Sequence, residues 1–404
     1  MTTLFGLDRA EVEQLAAAVS DSDPTDVFAR STWTCLAEPG DRLAGVLIAT
    51  LGAGRALSLV IDRAPAETIQ QLLRDEDVDD RLIVEVQKGL DRWQPRIESA
   101  AAKRALTQAA RFGIRLVLPT DADWPRRVND LGAHAPIGLW LRGQRVALES
   151  LETSISLVGA RAATGYGEHI TMEASAGLVD RGFAIVSGAA YGIDGMAHRA
   201  ALASRGTTIA ILAGGLDRFY PSGHDALLAR IVEKGAVLSE VPCGVSPTKW
   251  RFLQRNRLIA AVSQATVVLE AGWRSGSLNT AGHANELNRP VGAVPGPVTS
   301  AASAGCHRLL RENKALCVTN ADEMAELTRF ITDEGETLQS SDQHSESARL
   351  LDAMSQRSAR TASELAVRSG LALGTVQAVL GALELEGRVK ESERGWLHTK
   401  PPKA

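Results

Sequence analysis

The sequence has few of the features that mark metal-binding, disulfide-linked and membrane proteins. Only four of its 404 residues are cysteine, and they form no C-x-x-C pair, which argues against a zinc site or a disulfide framework. No apolar run approaches the roughly 20 residues that a membrane-spanning helix needs, and a basic-then-apolar secretion signal is missing from the first residues. We therefore expect reduced thiols, no metal, no membrane partner and a cytoplasmic location.

Two nucleotide-binding signatures are also missing. The first apolar strand of the central region leads into a turn at Gly159, but this turn lacks the G-x-G-x-x-G fingerprint and the acid that follows it about 20 residues later. No G-x-x-x-x-G-K-[ST] motif occurs either. A hydride-transfer enzyme and a P-loop ATPase are therefore disfavoured, and no cofactor is expected.

The composition is that of a globular protein with more than one domain. Apolar residues make up 45% and charged residues 23% of a chain that is too long for one ordinary core. Changes in pattern predict a helical domain over 1–110, a Rossmann-like domain over 111–330, a polar linker over 331–346 and a winged-helix domain over 347–404. The net charge of −4 argues against a protein that coats nucleic acid with its whole surface, but a basic patch on one domain remains compatible with it.

The first 110 residues show the apolar spacing of helices and almost no strand signal. Gly52 and Gly54 form a G-x-G turn between two apolar stretches, which resembles the turn of helix-hairpin-helix and SAM-like modules. Such turns are common in loops, so an ordinary turn is favoured over a DNA contact. Residues 119–125 and 139–143 are expected to form a lead-in segment that packs on the next domain.

The central region alternates short apolar strands with helical stretches. Nearly continuous apolar strands separated by helices predict an α/β fold, a Rossmann-like doubly wound and mainly parallel sheet with helices on both faces. The expected strands lie near 154–159, 183–187, 208–212, 236–240, 265–270 and 291–295.

Two of these strands end in glycine turns that lead into helices. Gly159 ends the first strand, Ser187 and Gly188 end the second, and Gly192 precedes the next helix. Helix amino termini carry unpaired N–H groups and partial positive charge, so they suit a phosphate. Arg161 follows the first strand, where open α/β sheets bind ligands. A phosphate contact is therefore predicted for Arg161, and a surface salt bridge is the alternative.

The segment Lys249–Arg257 contains four basic residues, two aromatic rings and no acid. Basic groups that alternate with rings suit a single-stranded nucleic acid, because its phosphates need charge and its unpaired bases can stack. The alternative is an aromatic core edge with solvated arginines, which would usually mix both signs of charge. Phe252 is expected to meet a base, whereas Trp250 is also a candidate core residue.

A third helix start follows the strand near 265–270. Ser275 and Gly276 lie in its loop of small residues, which again suits an anion. Glu270 ends the strand, but no histidine or second carboxylate is spaced to pair with it, so a structural hydrogen bond is favoured over acid-base catalysis. Asp194 is expected to cap a helix rather than to catalyse a reaction. We predict no catalytic residue.

The last segment predicts three helices and a hairpin, the elements of a winged helix. Thr361 and Glu364 have capping-box spacing at the start of the second helix. Phosphate neutralisation normally dominates DNA affinity, and the third helix has no outward lysine or arginine, so protein contact or packing is favoured over DNA reading. The outward positions of that helix are Thr375, Gln377, Ala378, Ala382, Glu384 and Glu386.

Several short blocks occur together in a recognisable order. The blocks are 158–161 (VGAR), 187–194 (SGAAYGID), 213–217 (AGGLD), Tyr220-Pro221, Ser239-Glu240, 255–257 (RNR), 274–277 (RSGS) and 293–296 (AVPG). Together they resemble the DNA processing protein A family, DprA, also called Smf, over roughly residues 115 to 328.

The resemblance implies a protein without catalytic turnover that binds single-stranded DNA, forms a homodimer through its Rossmann-like domain and helps to load the RecA recombinase in natural transformation. Carried over by position, Arg161, Ser187, Gly188 and the block 255–257 would line the DNA pocket. With the residues inferred from the motifs, the predicted DNA-binding set is Gly159, Arg161, Ser187, Gly188, Tyr191, Gly192, Phe252, Arg255, Asn256, Arg257, Ser275 and Gly276.

The chain departs from the family pattern at Tyr191, Leu253 and His307, where the family usually has arginine, proline and often asparagine. Tyr191 removes one charge but offers a face on which a base can stack. An enzyme remains the alternative, because residues 270–286 are loosely similar to a loop of the nucleoside-monophosphate phosphoribohydrolases, although their P-G-G-x-G-T motif is missing. A ligand-sensing regulator that binds duplex DNA is disfavoured by the acidic third helix of the winged-helix segment.

Overall fold

The computed structural model describes residues 3–330, 347, 350–351, 353–355, 358–369, 371, 373–385, 387–392 and 394–399. The chain divides into two compact units, Met1–Arg329 and Phe330–Ala404. The predicted linker over 331–346 and the outward position Glu386 lie outside the described residues.

Helices form the first part of the larger unit. They follow a short antiparallel pair of strands, β1 (Thr3–Leu4) and β2 (Leu7–Asp8), in a region where the sequence shows almost no strand signal. Asp8, Asp23 and Asp41 each accept a backbone N–H bond at a helix start, as N-cap carboxylates do. The helices are α1 (Arg9–Ala17), α2 (Pro24–Leu36), α3 (Arg42–Leu51), α4 (Ala53–Ile61), α5 (Ala66–Asp75), α6 (Asp80–Ile83), α7 (Val86–Trp93) and α8 (Ser99–Arg111).

The helices bury a core around Trp33 and Trp93, whose ring centroids lie 5.1 Å apart in an edge-to-face arrangement. Gly52 joins α3 to α4 with a φ of 79°, a conformation that favours a residue without Cβ. Among the described residues, no single helix is long and apolar enough to cross a membrane. Taken together, α3 and α4 have the length and apolar composition of a membrane span, but the chain bends by 114° between them.

A nine-stranded sheet forms the centre of the larger unit. Its strands are β3 (Arg115–Val117), β4 (Leu139–Gly143), β5 (Ser154–Gly159), β6 (Ala184–Ser187), β7 (Thr208–Leu212), β8 (Ala236–Ser239), β9 (Ala265–Glu270), β10 (Val291–Ala293) and β11 (Leu316–Cys317). Their order is β11-β10-β9-β5-β6-β7-β8-β4-β3, and every pair from β11 to β8 is parallel. The predicted mainly parallel α/β sheet is confirmed.

Two antiparallel strands extend this sheet beyond β8. Trp140 of β4 pairs with Ser239 of β8, and Leu116 of β3 pairs with Trp140. The expectation that residues 139–143 only pack on the sheet as a lead-in segment is therefore corrected, because their backbone takes part in its hydrogen bonding.

Helices cover both faces of the sheet because the strands send alternate side chains into two cores. In β5, Ile155 and Leu157 belong to one core and Val158 to the other. The helices are α9 (Gly165–Asp180), α10 (Ile193–Ala203), α11 (Asp225–Lys234), α12 (Lys249–Val262), α13 (Ser277–Glu286), α14 (Ala304–Arg311) and α15 (Ala321–Glu326).

The strand order reverses at β5, which has β6 on one side and β9 on the other. In open α/β sheets, ligands bind in the crevice outside the carboxyl ends of the strands at such a reversal. The fold therefore brings residues 160–164, which follow β5, beside residues 271–276, which follow β9.

The smaller unit contains α16 (Ala362–Ser369), α17 (Leu373–Leu385) and the hairpin of β12 (Val389–Ser392) and β13 (Gly395–His398). Thr361 and Glu364 form the expected capping box, because each backbone N–H donates to the side chain of the other residue, at 2.9 Å and 3.2 Å. The buried face of α17 is Val376, Val379, Leu380 and Leu383. These elements confirm the predicted winged helix.

The buried side chain of His198 should make the stability of the fold decrease in acid. His198 of α10 is fully buried, with Nδ1 2.7 Å from Thr208 Oγ1 and with no partner for Nε2 in the described part of the chain. Burial lowers the pKa of His198 to about 3. The unfolded chain therefore binds a proton near pH 6.5 that the folded chain binds only near pH 3, so stability falls as the pH falls through that window.

We expect His198 to contribute a loss of up to about 1.4 kcal/mol of unfolding free energy per pH unit between about pH 6.5 and pH 3. Urea unfolding of the wild type and of His198→Gln at several pH values measures this slope. The exposed His169 provides the control, because His169→Gln should keep the wild-type slope. An equal slope in His198→Gln would contradict the expectation.

Candidate functional site

An open groove of about 960 Å³ lies at the crevice where the strand order reverses. Most of its lining comes from three segments, which are the loop after β5, the loop after β9 and the first turns of α12. Thr248 fixes the start of α12 because its hydroxyl accepts the Arg251 N–H bond at 3.2 Å. The groove therefore occupies the position that the fold reserves for a ligand.

Basic side chains dominate the charge of this groove. Arg161, Lys249 and Arg274 are exposed in its walls, and none of them forms an ion pair with any residue that the structure describes. The exposed Arg218 lines a smaller niche that also contacts Arg255. Unpaired basic groups around a concave surface attract a polyanion and keep their N–H donors available for phosphates.

Phe252 is the aromatic centre of the groove. The guanidinium carbons of Arg161 and Arg255 lie 5.2 Å and 5.7 Å from its ring centroid, within the range of a cation–π contact. The half-exposed Tyr220 ring lies 5.6 Å away from the Phe252 ring. Rings and cations in this arrangement suit the flat faces and the phosphates of an unpaired strand.

Arg255 is part of the groove floor. Its Nη1 donates to the carbonyl of Gly188 at 2.8 Å and to that of Ile211. Burial lowers the pKa of Arg255 to about 10, so the guanidinium stays charged at neutral pH. The nearby Asp194 accepts the N–H bonds of Gly188 and Ala190 at 3.2 Å and 3.4 Å, and burial raises the pKa of its carboxyl group. Through its bonds to the Gly188 and Ile211 carbonyls, Arg255 connects the carboxyl ends of β6 and β7 to α12.

Internal carboxylates occupy two of the turns that the sequence assigns to phosphates. The Glu270 carboxylate is buried. Its Oε2 accepts a hydrogen bond from the backbone N–H of Thr164 at 2.9 Å, and its Oε1 accepts one from the Thr164 hydroxyl at 2.6 Å. Thr164 in turn accepts the Gly167 N–H bond at 3.2 Å as the N-cap of α9. Asp194 bonds the loop amides after β6 and does not cap α10 as expected, because the N-cap of that helix is Gly192. The amides of Thr164 and Gly188 are thus already bonded. Neither of these two amides is therefore available to a phosphate.

Most of the predicted DNA-binding residues come together in this groove. Asn256 joins two of its walls, since its Nδ2 donates to the Gly276 carbonyl at 3.4 Å and to Asn279 Oδ1 at 3.2 Å. Gly188 lines the adjoining niche. The predicted residues that line the groove itself are Gly159, Arg161, Phe252, Arg255, Asn256, Ser275 and Gly276.

Four predicted residues lie elsewhere, namely Ser187, Tyr191, Gly192 and Arg257. Ser187 is fully buried, and its hydroxyl donates to the Leu157 carbonyl at 2.6 Å. The half-exposed Tyr191 ring packs against the His224 ring, and the two ring centroids lie 4.9 Å apart. Arg257 is buried in an ion pair with Glu240 at 2.6 Å. Arg257 follows Arg255 by two positions on α12, which rotates its side chain by about 200° around the helix axis. Arg257 therefore points away from the groove.

Gly192 connects two loops below the groove. It precedes α10 with a φ of 74°, and the next N–H, of Ile193, donates to the Ala160 carbonyl at 3.1 Å. A Cβ at this position would overlap the carbonyl groups of Ala160 and Arg161. Glycine is therefore required here for the backbone contact that positions the Arg161 loop.

We expect Gly192→Ala to lower the free energy of unfolding by about 2–4 kcal/mol, because a backbone clash adds to the roughly 1–2 kcal/mol cost of a positive φ. Gly113→Ala is the matched control, since Gly113 has a φ of 64° but open space around its Cβ position. Urea unfolding compares the two variants. A loss for Gly192→Ala no larger than that for Gly113→Ala would contradict this role.

Other groove residues are absent from the set predicted from the sequence: Tyr220, Lys249, Trp273 and Arg274. Lys249 lies in the basic and aromatic segment that predicts nucleic-acid binding. Arg274 follows β9 as Arg161 follows β5, so the rule that selects Arg161 would also have selected it. Tyr220 offers no comparable signal, because its loop follows a strand away from the reversal.

The sequence pattern described as "DNA recombination-mediator protein A" matches residues 115–329, and the pattern described as "DprA winged helix domain" matches residues 335–393. A putative DNA processing protein DprA of Mycobacterium tuberculosis is 45% identical over 322 residues, which cover 74% of this chain and 82% of that protein. Protein Smf of Escherichia coli is 41% identical over 196 residues, which cover 48% and 52% of the two chains.

A solved structure shows the same architecture. The X-ray structure of DNA processing protein A from Streptococcus pneumoniae aligns with a TM-score of 0.58 and 28% sequence identity. The alignment covers 75% of this chain and 97% of the pneumococcal chain.

Proposed function

This chain belongs to the DNA recombination-mediator protein A family, also called DprA or Smf, and from that premise we propose that its groove binds single-stranded DNA without catalytic turnover. The observation that supports this most strongly is that the guanidinium groups of Arg161 and Arg255 both lie within cation–π distance of the Phe252 ring. The exposed and unpaired Lys249 and Arg274 add positive charge to the same groove.

The groove offers both contacts that an unpaired strand needs. Arg161, Lys249 and Arg274 can neutralise successive phosphates, and Phe252 can contact the face of a base. In a duplex, base faces are covered by their stacked neighbours, so a ring on the groove floor reaches them only in a single strand. We therefore propose selectivity for single-stranded over double-stranded DNA.

Fluorescence anisotropy of single- and double-stranded oligonucleotides of one sequence tests this proposal. Between about 50 and about 200 mM salt, the logarithm of the single-strand binding constant should fall linearly with the logarithm of the salt concentration. The slope should be about −2, which corresponds to about −0.7 for each of three neutralised phosphates. The duplex should bind more weakly at every salt concentration. Equal or tighter duplex binding would contradict the proposal.

The alternative is an enzyme similar to the nucleoside-monophosphate phosphoribohydrolases. Such an enzyme needs a carboxylate that can reach the substrate, but Glu270 is buried and bonded to Thr164. Asp194 is also buried and accepts two backbone N–H bonds. Chromatography after incubation with nucleoside monophosphates separates the two functions. We expect no release of free base, and enzyme-dependent release would favour the alternative.

We further propose that the protein acts as a homodimer that helps to load the RecA recombinase on DNA during uptake, natural transformation and recombination. The family description as a recombination mediator supports the RecA role. The edge strand β11 exposes 51% of Leu316, and an open strand edge is a surface on which a second copy can pair. Sedimentation of the wild type and of Leu316→Lys tests whether the protein forms a homodimer through β11. RecA filament assembly on single-stranded DNA, measured with and without the protein, tests whether the protein helps to load RecA.

The domain division at 1–110, 111–330, 331–346 and 347–404 is also part of this proposal. A cytoplasmic location follows from the proposed partners, since single-stranded DNA and a recombinase meet inside the cell. For the winged helix, a protein contact remains the favoured role, because the described outward side chains of α17 include no basic residue.

A further inference from the structure

Trp273 is a large aromatic residue that the groove leaves exposed. It lies in the loop after β9, in a wall formed by a different segment from that of Phe252, and 52% of its surface is accessible. Aromatic rings usually bury most of their surface in a protein core or an interface. An exposed indole among basic side chains is therefore a candidate contact for a ligand with both flat faces and negative charge.

Arg308 of α14 holds this ring in place. Its guanidinium carbon lies 4.9 Å from the Trp273 ring centroid, and its Nη1 lies 3.5 Å from the Trp273 carbonyl oxygen. The guanidinium lies over the indole ring, and about half of the Trp273 surface stays accessible, at 52%. A ring held in this way loses little conformational entropy when a base stacks on it.

The groove continues from Phe252 to this second ring. Asn256 lies one helical turn beyond Phe252 and bonds to the Gly276 carbonyl in the loop that contains Trp273. The groove volume of about 960 Å³ is at the upper end of the range for pockets that enclose a whole drug-sized ligand. It therefore has room for more than one base.

We propose that Trp273 forms a second base-stacking subsite for an unpaired base of the same DNA strand. The strand would run from Phe252 past Asn256 to Trp273, with Arg274 neutralising a phosphate beside the indole. Arg308 acts as a positioning residue that supports the ring. This inference rests on the proposed function and extends it by assigning a path to the strand.

Equilibrium binding of oligothymidine strands of about 4 to about 16 nucleotides tests the subsite. Trp273→Ala should weaken the longer strands by about tenfold, because one base loses the ring on which it stacks. Trp273→Phe should recover most of this affinity. The salt slope should stay at the wild-type value, because the indole neutralises no phosphate.

Strands with one abasic nucleotide provide a test that does not depend on the folding of a variant. On the wild-type protein, an abasic site should weaken the shortest full-affinity strand at two separate positions, one for each ring. The penalty at one position should disappear in Trp273→Ala, and that at the other in Phe252→Ala. A single penalised position on the wild type would overturn the subsite.

Arg308→Gln tests the positioning role. It should weaken longer strands, and this loss should vanish when Trp273 is already alanine. Arg311→Gln on the same helix is the control, because Arg311 is exposed and lies outside the groove, and it should leave the affinity unchanged. A loss for Arg308→Gln that persists in the Trp273→Ala background would overturn this role.

The outcomes separate the subsite from the proposed function. If Arg161→Ala and Phe252→Ala weaken the single strand but Trp273→Ala does not, the subsite is wrong and the groove function stands. If none of the three substitutions changes the affinity, both the subsite and the groove function are wrong.

Discussion

Replacing Glu240 by alanine should lower the free energy of unfolding by about 3–5 kcal/mol. Glu240 accepts two bonds from Nη2 of Arg257, at 2.8 Å and 2.6 Å, and both side chains are buried. Nε and Nη1 of Arg257 have no hydrogen-bond partner among the residues that the structure describes. Without the carboxylate, a buried positive charge would remain uncompensated, which costs far more than the loss of an exposed ion pair.

Urea unfolding of Glu240→Ala measures this loss. Glu13→Ala is the matched control, because Glu13 pairs with Arg9 at 2.9 Å on the surface, and its loss should change stability very little. Glu240 Oε1 also accepts the Gly40 N–H bond at 3.2 Å, so the loss should extend to the contact between the helical region and the sheet. A Glu240→Ala variant as stable as Glu13→Ala would contradict the assignment of a buried ion pair.

Replacing Arg161, Lys249 and Arg274 together by alanine should weaken single-stranded DNA binding by about 100-fold or more at about 0.1 M salt. Each hydrogen bond to a charged phosphate contributes about 1.5–3 kcal/mol, and salt screens part of this in an open groove. The log-log salt slope should become less negative by about 2, because three counterion-releasing contacts are lost. Fluorescence anisotropy measures the affinity and the slope together.

The control for this triple variant changes the net charge equally at a distance from the groove. Arg199, Arg230 and Lys234 are exposed, lie on α10 and α11, and do not line the groove. Their joint replacement by alanine should reduce the affinity only slightly, through the overall charge. If both triple variants lost the same affinity, binding would depend on net charge and not on the groove.

The sheet could be predicted because each strand is a short apolar run and helical stretches separate most of them. Arg161 could be placed at a ligand crevice because it follows the carboxyl end of a strand. The point at which the sheet reverses depends on the strand order, which the local pattern does not give. The antiparallel pairing of β3 with β4 was harder to predict, because these segments are only three and five residues long and the connection between them contains a 3-10 helix, Arg126–His134, but no α-helix.

The contacts of buried polar groups could not be predicted from local pattern. Arg255 and Arg257 look equivalent in a basic segment, but two helix positions place one at the groove and the other in the ion pair with Glu240. Likewise, Glu270 reaches Thr164 across 106 residues of sequence, so the bonded state of that amide depends on the folded sheet. Local sequence indicates where charge lies, and the fold decides which charge remains free.

The central claim is that single-stranded DNA lies in the groove at the reversal of the sheet. Photo-cross-linking of a single strand that contains 5-iodouracil, followed by mass spectrometry of the peptides, tests this claim most directly. We predict cross-links to the groove rings, Phe252, Tyr220 and Trp273, and their loss under an excess of unlabelled single strand. Cross-links confined to residues 358–399 of the winged helix, or to surfaces outside the groove, would contradict it.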